Sequence, residues 1–122
     1  MTPLQLSRLL ADAALARKAR TVVRADLRGR TTIADYFVIC EGDTDRQVRA
    51  IAGEMVEQAH SRGCHSLSRA GLEDASWVCL DFDSVVAHIF LPGERAYYDL
   101  ESLWGPVRRV RPRPPERDGG AG

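Results

Sequence analysis

Apolar residues recur at helical spacing through the first positions of the chain. Leu6, Leu9, Leu10, Ala13, Ala14 and Leu15 form a broad stripe, and Thr2 before Pro3 places a capping hydroxyl ahead of a residue preorganised for a first helical turn. The period changes to two over residues 21–27, where Thr21, Val23, Ala25 and Leu27 alternate with Val22, Arg24 and Asp26; this predicts a half-buried strand, with Gly29 in the turn after it. Residues 36–40, Tyr-Phe-Val-Ile-Cys, are a continuous apolar run, the pattern of a central strand covered on both faces.

A second helix is predicted from Thr44. Its hydroxyl can accept the amide of Gln47 while the Gln47 side chain reaches back, a capping box. Val48, Ile51, Ala52, Met55, Val56 and Ala59 then fall on one side until Gly63 supplies a left-handed stop. Residues 64–76 are polar, with a short edge strand expected around 65–68. Residues 77–82 and 85–91 are two strand-like runs flanking a two-residue connection, Asp83-Ser84, which suits a tight hairpin. That register pairs Phe82 with Val85, Leu80 with Ala87 and Val78 with Ile89, a wholly apolar face. The other face sets Trp77 opposite Phe90, Cys79 opposite His88 and Asp81 opposite Val86, a mixture expected to meet solvent. A helix lying over that face, with Trp77 and Phe90 as core, is the competing reading. A last helix is predicted over residues 94–104, with Ala96, Leu100, Leu103 and Trp104 on one side and Gly105-Pro106 closing it. Mixed strands with helices packed on them predict a compact α/β domain with a partly antiparallel sheet.

Composition narrows the classes. At 122 residues and 44% hydrophobic, the chain suffices for one domain with its own core. No stretch reaches the roughly eighteen to twenty apolar residues of a membrane span, and residues 1–19 lack the pattern of a secretory signal. Three cysteines, an odd number at irregular spacing, fit free thiols, so a cytoplasmic protein is expected. Seventeen basic and seventeen acidic side chains cancel, but unevenly. Residues 1–30 carry seven basic groups against two acids, residues 31–104 thirteen acids against five arginines, and the remainder five arginines against two acids. An acidic middle could meet a basic protein while basic ends meet phosphate; surface charge for solubility explains the same pattern. The Pro/Arg-rich residues 106–122 have little to bury and read as a disordered tail after a domain of residues 1–105.

Four chemistries can be set against these residues. Asp81 and Asp83, at i and i+2 by the hairpin, could hold Mg²⁺ as in a nucleotidyltransferase, although no third acid or phosphate-binding loop accompanies them and a solvated turn aspartate is the simpler reading. Gly42-Asp43-Thr44 offers helix N-terminal amides to an anion. His60, Cys64, His65 and Cys79 are soft ligands without a Cys-x-x-Cys pair. Cys40 with His88 could form a nucleophile pair, but nothing marks Cys40 as other than core.

Two long blocks, ADYFVICEGDTDRQVRAIAGEMVE and WVCLDFDSVVAHIFLPGERAYYDLESLWG, resemble the ribosomal silencing factor family, also called Iojap-like proteins, over residues 1 to about 105. At the hairpin turn the family pattern is an aspartate, an aromatic or aliphatic residue, a glycine and an aspartate; this chain has Asp81-Phe82-Asp83-Ser84, a departure that bears on the turn's geometry. The resemblance implies a compact α/β domain related in fold to nucleotidyltransferases without their catalytic loop, hence no enzyme, and no cofactor or metal. It also implies binding to ribosomal protein uL14 on the large ribosomal subunit, a steric block to joining of the small subunit, and reduced translation under nutrient limitation. Carried over by position, Trp77, Asp81, Phe82, His88 and Phe90 form the expected contact surface. Asp81 would meet a lysine or arginine, Trp77 and Phe90 would supply the buried centre, and His88 a polar contact whose protonation tunes affinity near neutral pH. Tyr98 and Trp104 match family positions, but helical spacing assigns them to the core. A weak contact of the basic tail with ribosomal RNA, and a homodimer through the hairpin face or a sheet edge, complete the partner expectations.

Overall fold

Thr2 caps the first helix, α1 (Pro3–Ala16), in both directions. The Gln5 amide donates to its hydroxyl at 3.1 Å and its own amide donates to Gln5 Oε1 at 2.8 Å. The computed structural model describes residues 1–104 and 108–109. It continues through β1 (Arg20–Asp26), β2 (Tyr36–Glu41), α2 (Asp45–Ser61), β3 (Ser68–Ala70), β4 (Trp77–Asp81), β5 (Val85–Phe90), α3 (Arg95–Trp104) and β6 (Arg108–Arg109).

The strands form one sheet in the order β3-β4-β5-β2-β1-β6. Only β2 and β5 run parallel, as a connection through α2 and the β3–β4 pair allows. The expected mixed α/β architecture is therefore present. On one face α1 and α2 cover Val38, Cys40, Val78, Leu80 and Ile89 with Leu6, Leu10, Ile51 and Met55, each fully buried large side chain contributing about 1.5–3 kcal/mol. On the other, α3 lays Ala96, Tyr97 and Leu100 against Val23, Ala25, Phe37, Ile39, Val86 and Phe90. β2, with helices on both sides, is buried from Tyr36 to Cys40 as its unbroken apolar run predicts.

Local departures from the expected pattern have local causes. The alternation of β1 holds from Val22 onward, but Thr21 takes a φ of 54° at a break in the β1–β2 register, a bulge that removes it from the alternation. Val22 and Val23 are then both buried, one under each helical layer. At the start of α2 the Thr44 hydroxyl accepts the Gln47 amide at 3.1 Å. The Gln47 side chain does not return to Thr44. Its Oε1 accepts the Asp43 amide at 2.6 Å and its Nε2 donates to the carbonyls of Arg17 and Lys18, each at 3.1 Å. Gln47 thus clasps the end of α1 to the start of α2. The edge strand lies at Ser68–Ala70 rather than around 65–68, because the chain leaving Gly63 first has to swing across to β4, which it meets where the Leu67 amide donates to the Asp81 carbonyl at 2.7 Å.

Arg108–Arg109 pair with Val23 and Arg24 beyond the expected boundary at 105. The rest of the predicted disordered tail lies outside the described residues. No helix among the described residues is long and apolar enough to cross a membrane.

Candidate functional site

The hairpin register is the one expected: Trp77 opposite Phe90, Val78 opposite Ile89, Cys79 opposite His88, Leu80 opposite Ala87 and Asp81 opposite Val86. Its apolar side faces α1 and α2. Its other side is divided. α3 seals the part over β1, β2 and β5, so β5 is buried along its whole length, whereas Trp77 remains 40% exposed and Cys79 and Asp81 are half-buried on β4. β3, wholly exposed, continues that open strip to the sheet edge.

This corrects three of the five expected contact residues. Phe90 is fully buried and His88 only 4% exposed, because α3 and the β2 side chains close over β5. Phe82 is buried on the opposite face, under the α1–α2 layer. Trp77 and Asp81 stay accessible. Phe90 still matters, as the surface on which the Trp77 ring stacks, centroids 5.6 Å apart and planes at 21°. The Trp77 indole N–H donates to His88 Nδ1 at 3.1 Å. An exposed aromatic held by a stack beneath and a hydrogen bond at its edge is a rigid contact platform of low entropic cost.

His88 itself cannot serve as a polar contact. Its ring lies edge-on to Phe37 at 4.6 Å. Burial pushes its pKa down to about 4, so it is neutral at physiological pH and no titration near neutrality follows from it. Since Nδ1 accepts from Trp77, the proton of the neutral ring sits on Nε2, and that buried nitrogen has no hydrogen-bond partner among the described residues.

Asp81 accepts the Asp83 amide at 2.7 Å, and Asp83 has a φ of 72°. Phe82 N–H donates to the Val85 carbonyl at 2.9 Å across the loop. A positive φ at the first loop residue and not the second is the pattern of a type II′ turn, where glycine is the usual occupant. One oxygen of the Asp81 carboxylate is thus held by the turn. Among the described residues no three His, Cys, Asp or Glu side chains converge as metal ligands.

The remaining chemistries fail on geometry. His60 and His65 turn their rings to one another, Nδ1 to Nδ1 at 2.9 Å, while Cys64 lies 3.7 Å from the Met1 sulfur and Cys79 packs on the α3 side of the sheet. Cys40 and His88 point to opposite faces, and burial raises the Cys40 thiol pKa far above neutrality. Two amides of the Gly42-Asp43-Thr44 segment are taken: Gly42 donates to the Phe90 carbonyl at 2.9 Å and Asp43 to Gln47. The segregated charge is partly answered within the molecule, since Arg17 and Arg20 pair with Glu54 and Asp43 at 3.0 and 2.9 Å.

Comparison with known proteins fixes the family. The family model described as "Ribosomal silencing factor during starvation" matches residues 1–120. The chain belongs to the ribosomal silencing factor family. It is 42% identical over 110 residues to "Ribosomal silencing factor RsfS" of Halalkalibacterium halodurans, covering 90% of this chain and 94% of that one. It superposes with a TM-score of 0.82 and 30% identity on a crystal structure of a protein from Chromobacterium violaceum, covering 93% and 92% of the two chains. The "Mitochondrial assembly of ribosomal large subunit protein 1" of Mus musculus is 37% identical over 73 residues, 57% of this chain and 32% of that protein. The family is described by a regulatory role, and its match runs past the expected domain boundary at residue 105.

Sequence reasoning missed two contributors to the site, Tyr97 and Gly71. Tyr97 of α3 lies edge-on beside Phe90, at 5.8 Å, and Tyr98, expected in the core, is 61% exposed. The Trp104 side chain lies outside the described residues. Gly71 passes so close to Trp77 that only glycine fits. It follows β3 directly, at a strand end, where a glycine can mark a close backbone approach.

Proposed function

We propose that this chain binds the large ribosomal subunit through ribosomal protein uL14, in the cytoplasm, and blocks joining of the small subunit by occupying the joining face, lowering translation when nutrients are limiting. The observation that carries this reading is the Trp77 platform: a large aromatic left 40% exposed yet fixed from below and from the side. Free monomers have no reason to immobilise an exposed ring, whereas aromatic anchors of this kind dominate binding energy at protein interfaces. Asp81, on the same strip of β4, gives the platform an acidic border suited to a lysine- or arginine-bearing partner. Family membership and the name of the murine relative support a ribosomal partner of the large subunit. A steric block asks no chemistry of the bound domain.

Co-sedimentation tests the reading. Purified large subunits should carry the protein into the pellet, and adding small subunits at low Mg²⁺ should yield fewer joined particles in its presence. Failure to pellet at low ionic strength would refute it. Two lesser contacts belong to the same proposal: a homodimer through the exposed β3 edge, read by sizing across concentration, and a weak, salt-sensitive contact of the arginine-rich tail with ribosomal RNA.

A further inference from the structure

His88 is an unexpected residue for the middle of a sheet. It sits between Ile39 of β2 and Cys79 of β4, with Phe37 at its edge and Phe90 next along its strand, stacked at 6.2 Å. An apolar side chain would fill that position without leaving a polar atom unsatisfied. The histidine leaves one: Nε2 carries the proton, is buried, and has no partner among the described residues, a burden on stability. Its Nδ1 accepts the indole N–H of Trp77 in a part-buried hydrogen bond. That bond fixes the direction of the indole, since the stack on Phe90 alone leaves the ring free to slide or turn in its plane.

We propose that His88 is a positioning residue, whose Nδ1 holds the Trp77 indole in the single exposed pose that the ribosomal partner reads. The inference rests on the docking role given to Trp77 above and adds to it the device that presets the ring. Presetting removes the ordering cost of a rotamer-rich anchor before contact is made. The unsatisfied Nε2 is then tolerated for recognition, and stability and affinity should move in opposite directions when the histidine is replaced.

The test uses the full chain and four variants. Trp77 and Trp104 are the two tryptophans, so the Trp77 indole resonance is the one lost in Trp77→Phe. His88→Phe keeps a ring in place and removes the acceptor. It should be at least as stable as wild type in urea, shift the Trp77 indole N–H to a solvent-like, fast-exchanging position, and weaken binding to purified large subunits roughly 3- to 10-fold. His88→Asn carries an amide oxygen where Nδ1 stood. It should be less stable, because it leaves a void, yet restore the indole signal and most of the affinity. An indole resonance unmoved by His88→Phe would overturn the hold. Affinity that simply follows stability, with Asn worse than Phe, would also overturn it and leave His88 a packing residue. Trp77→Ala binding as tightly as wild type would instead bring down the docking reading, a failure visible without reference to His88.

Discussion

Replacing Gly71 by alanine strains the backbone that presents Trp77. Gly71 follows β3 directly, has a φ of 84°, and lies against the start of β4; a Cβ built on it lands on the Trp77 carbonyl oxygen and comes within 3.1 Å of the carbonyl carbon and 3.3 Å of Val78 Cα. These are backbone atoms of a strand paired on both sides, so they cannot step aside as a flexible side chain would. Holding an alanine in the left-handed region costs about 1–2 kcal/mol, and forcing loop and strand apart adds about 1–3 kcal/mol. The Gly71 carbonyl also accepts the Ala75 amide at 2.8 Å, so the displacement weakens the turn that buries Ala75. A total loss of roughly 2–5 kcal/mol is expected, read as a lowered urea midpoint in equilibrium unfolding followed by circular dichroism. Under conditions where the variant is still fully folded, its affinity for large subunits should remain reduced, because the distortion falls on the residue carrying the platform. A loss below about 0.5 kcal/mol, within the scatter of ordinary surface changes, with unchanged binding would refute the reasoning.

Three further outcomes follow from the same geometry. Asp83→Gly should stabilise the protein by about 0.5–1 kcal/mol, since glycine adopts the positive φ of 72° without strain and keeps the amide that Asp81 accepts; a lower urea midpoint would contradict this. Gln47→Ala removes one acceptor and two donors joining α1 to α2 and should cost about 1–2 kcal/mol, with hydrogen exchange quickening at the ends of both helices. The third concerns pH. Burial lowers the His88 pKa to about 4 in the folded protein against about 6.5 for a solvated imidazole, so between those values the unfolded chain binds the extra proton. Its share of stability is therefore complete above about pH 6.5 and is lost as pH falls towards 4, up to about 3 kcal/mol. His88→Phe should flatten that part of the stability profile, and an unchanged slope would contradict the assignment.

How far the sequence could be read depended on the range of the forces involved. The hydroxyl caps of α1 and α2 lie within a few residues of themselves, and the hairpin register follows from a two-residue loop with alternating side chains, so both were legible, while the return reach of Gln47 to Thr44 was not borne out. So was the family, from two long blocks of residues. The burial of His88 and Phe90 was not legible, because it depends on which part of the sheet α3 covers, a question of how a crossover closes rather than of the strand's own pattern. Tyr97 and Tyr98 illustrate the same limit: adjacent aromatics on one helix part company according to the angle at which it lies, and only the former meets Phe90. Asp83 belongs to a third kind. The family's glycine marked the turn, but that an aspartate there adopts glycine's backbone conformation emerges only from the structure.

The central claim is that the fixed Trp77 ring engages the large subunit and thereby keeps the small subunit away. The most direct measurement is light scattering of subunit joining, titrated with wild-type protein and with Trp77→Ala, whose half-exposed position permits removal without unfolding. The account predicts inhibition by the wild type at stoichiometric levels and a requirement for roughly tenfold or more of the variant to match it. Coincident titration curves, or joining unaffected by the wild type, would contradict it.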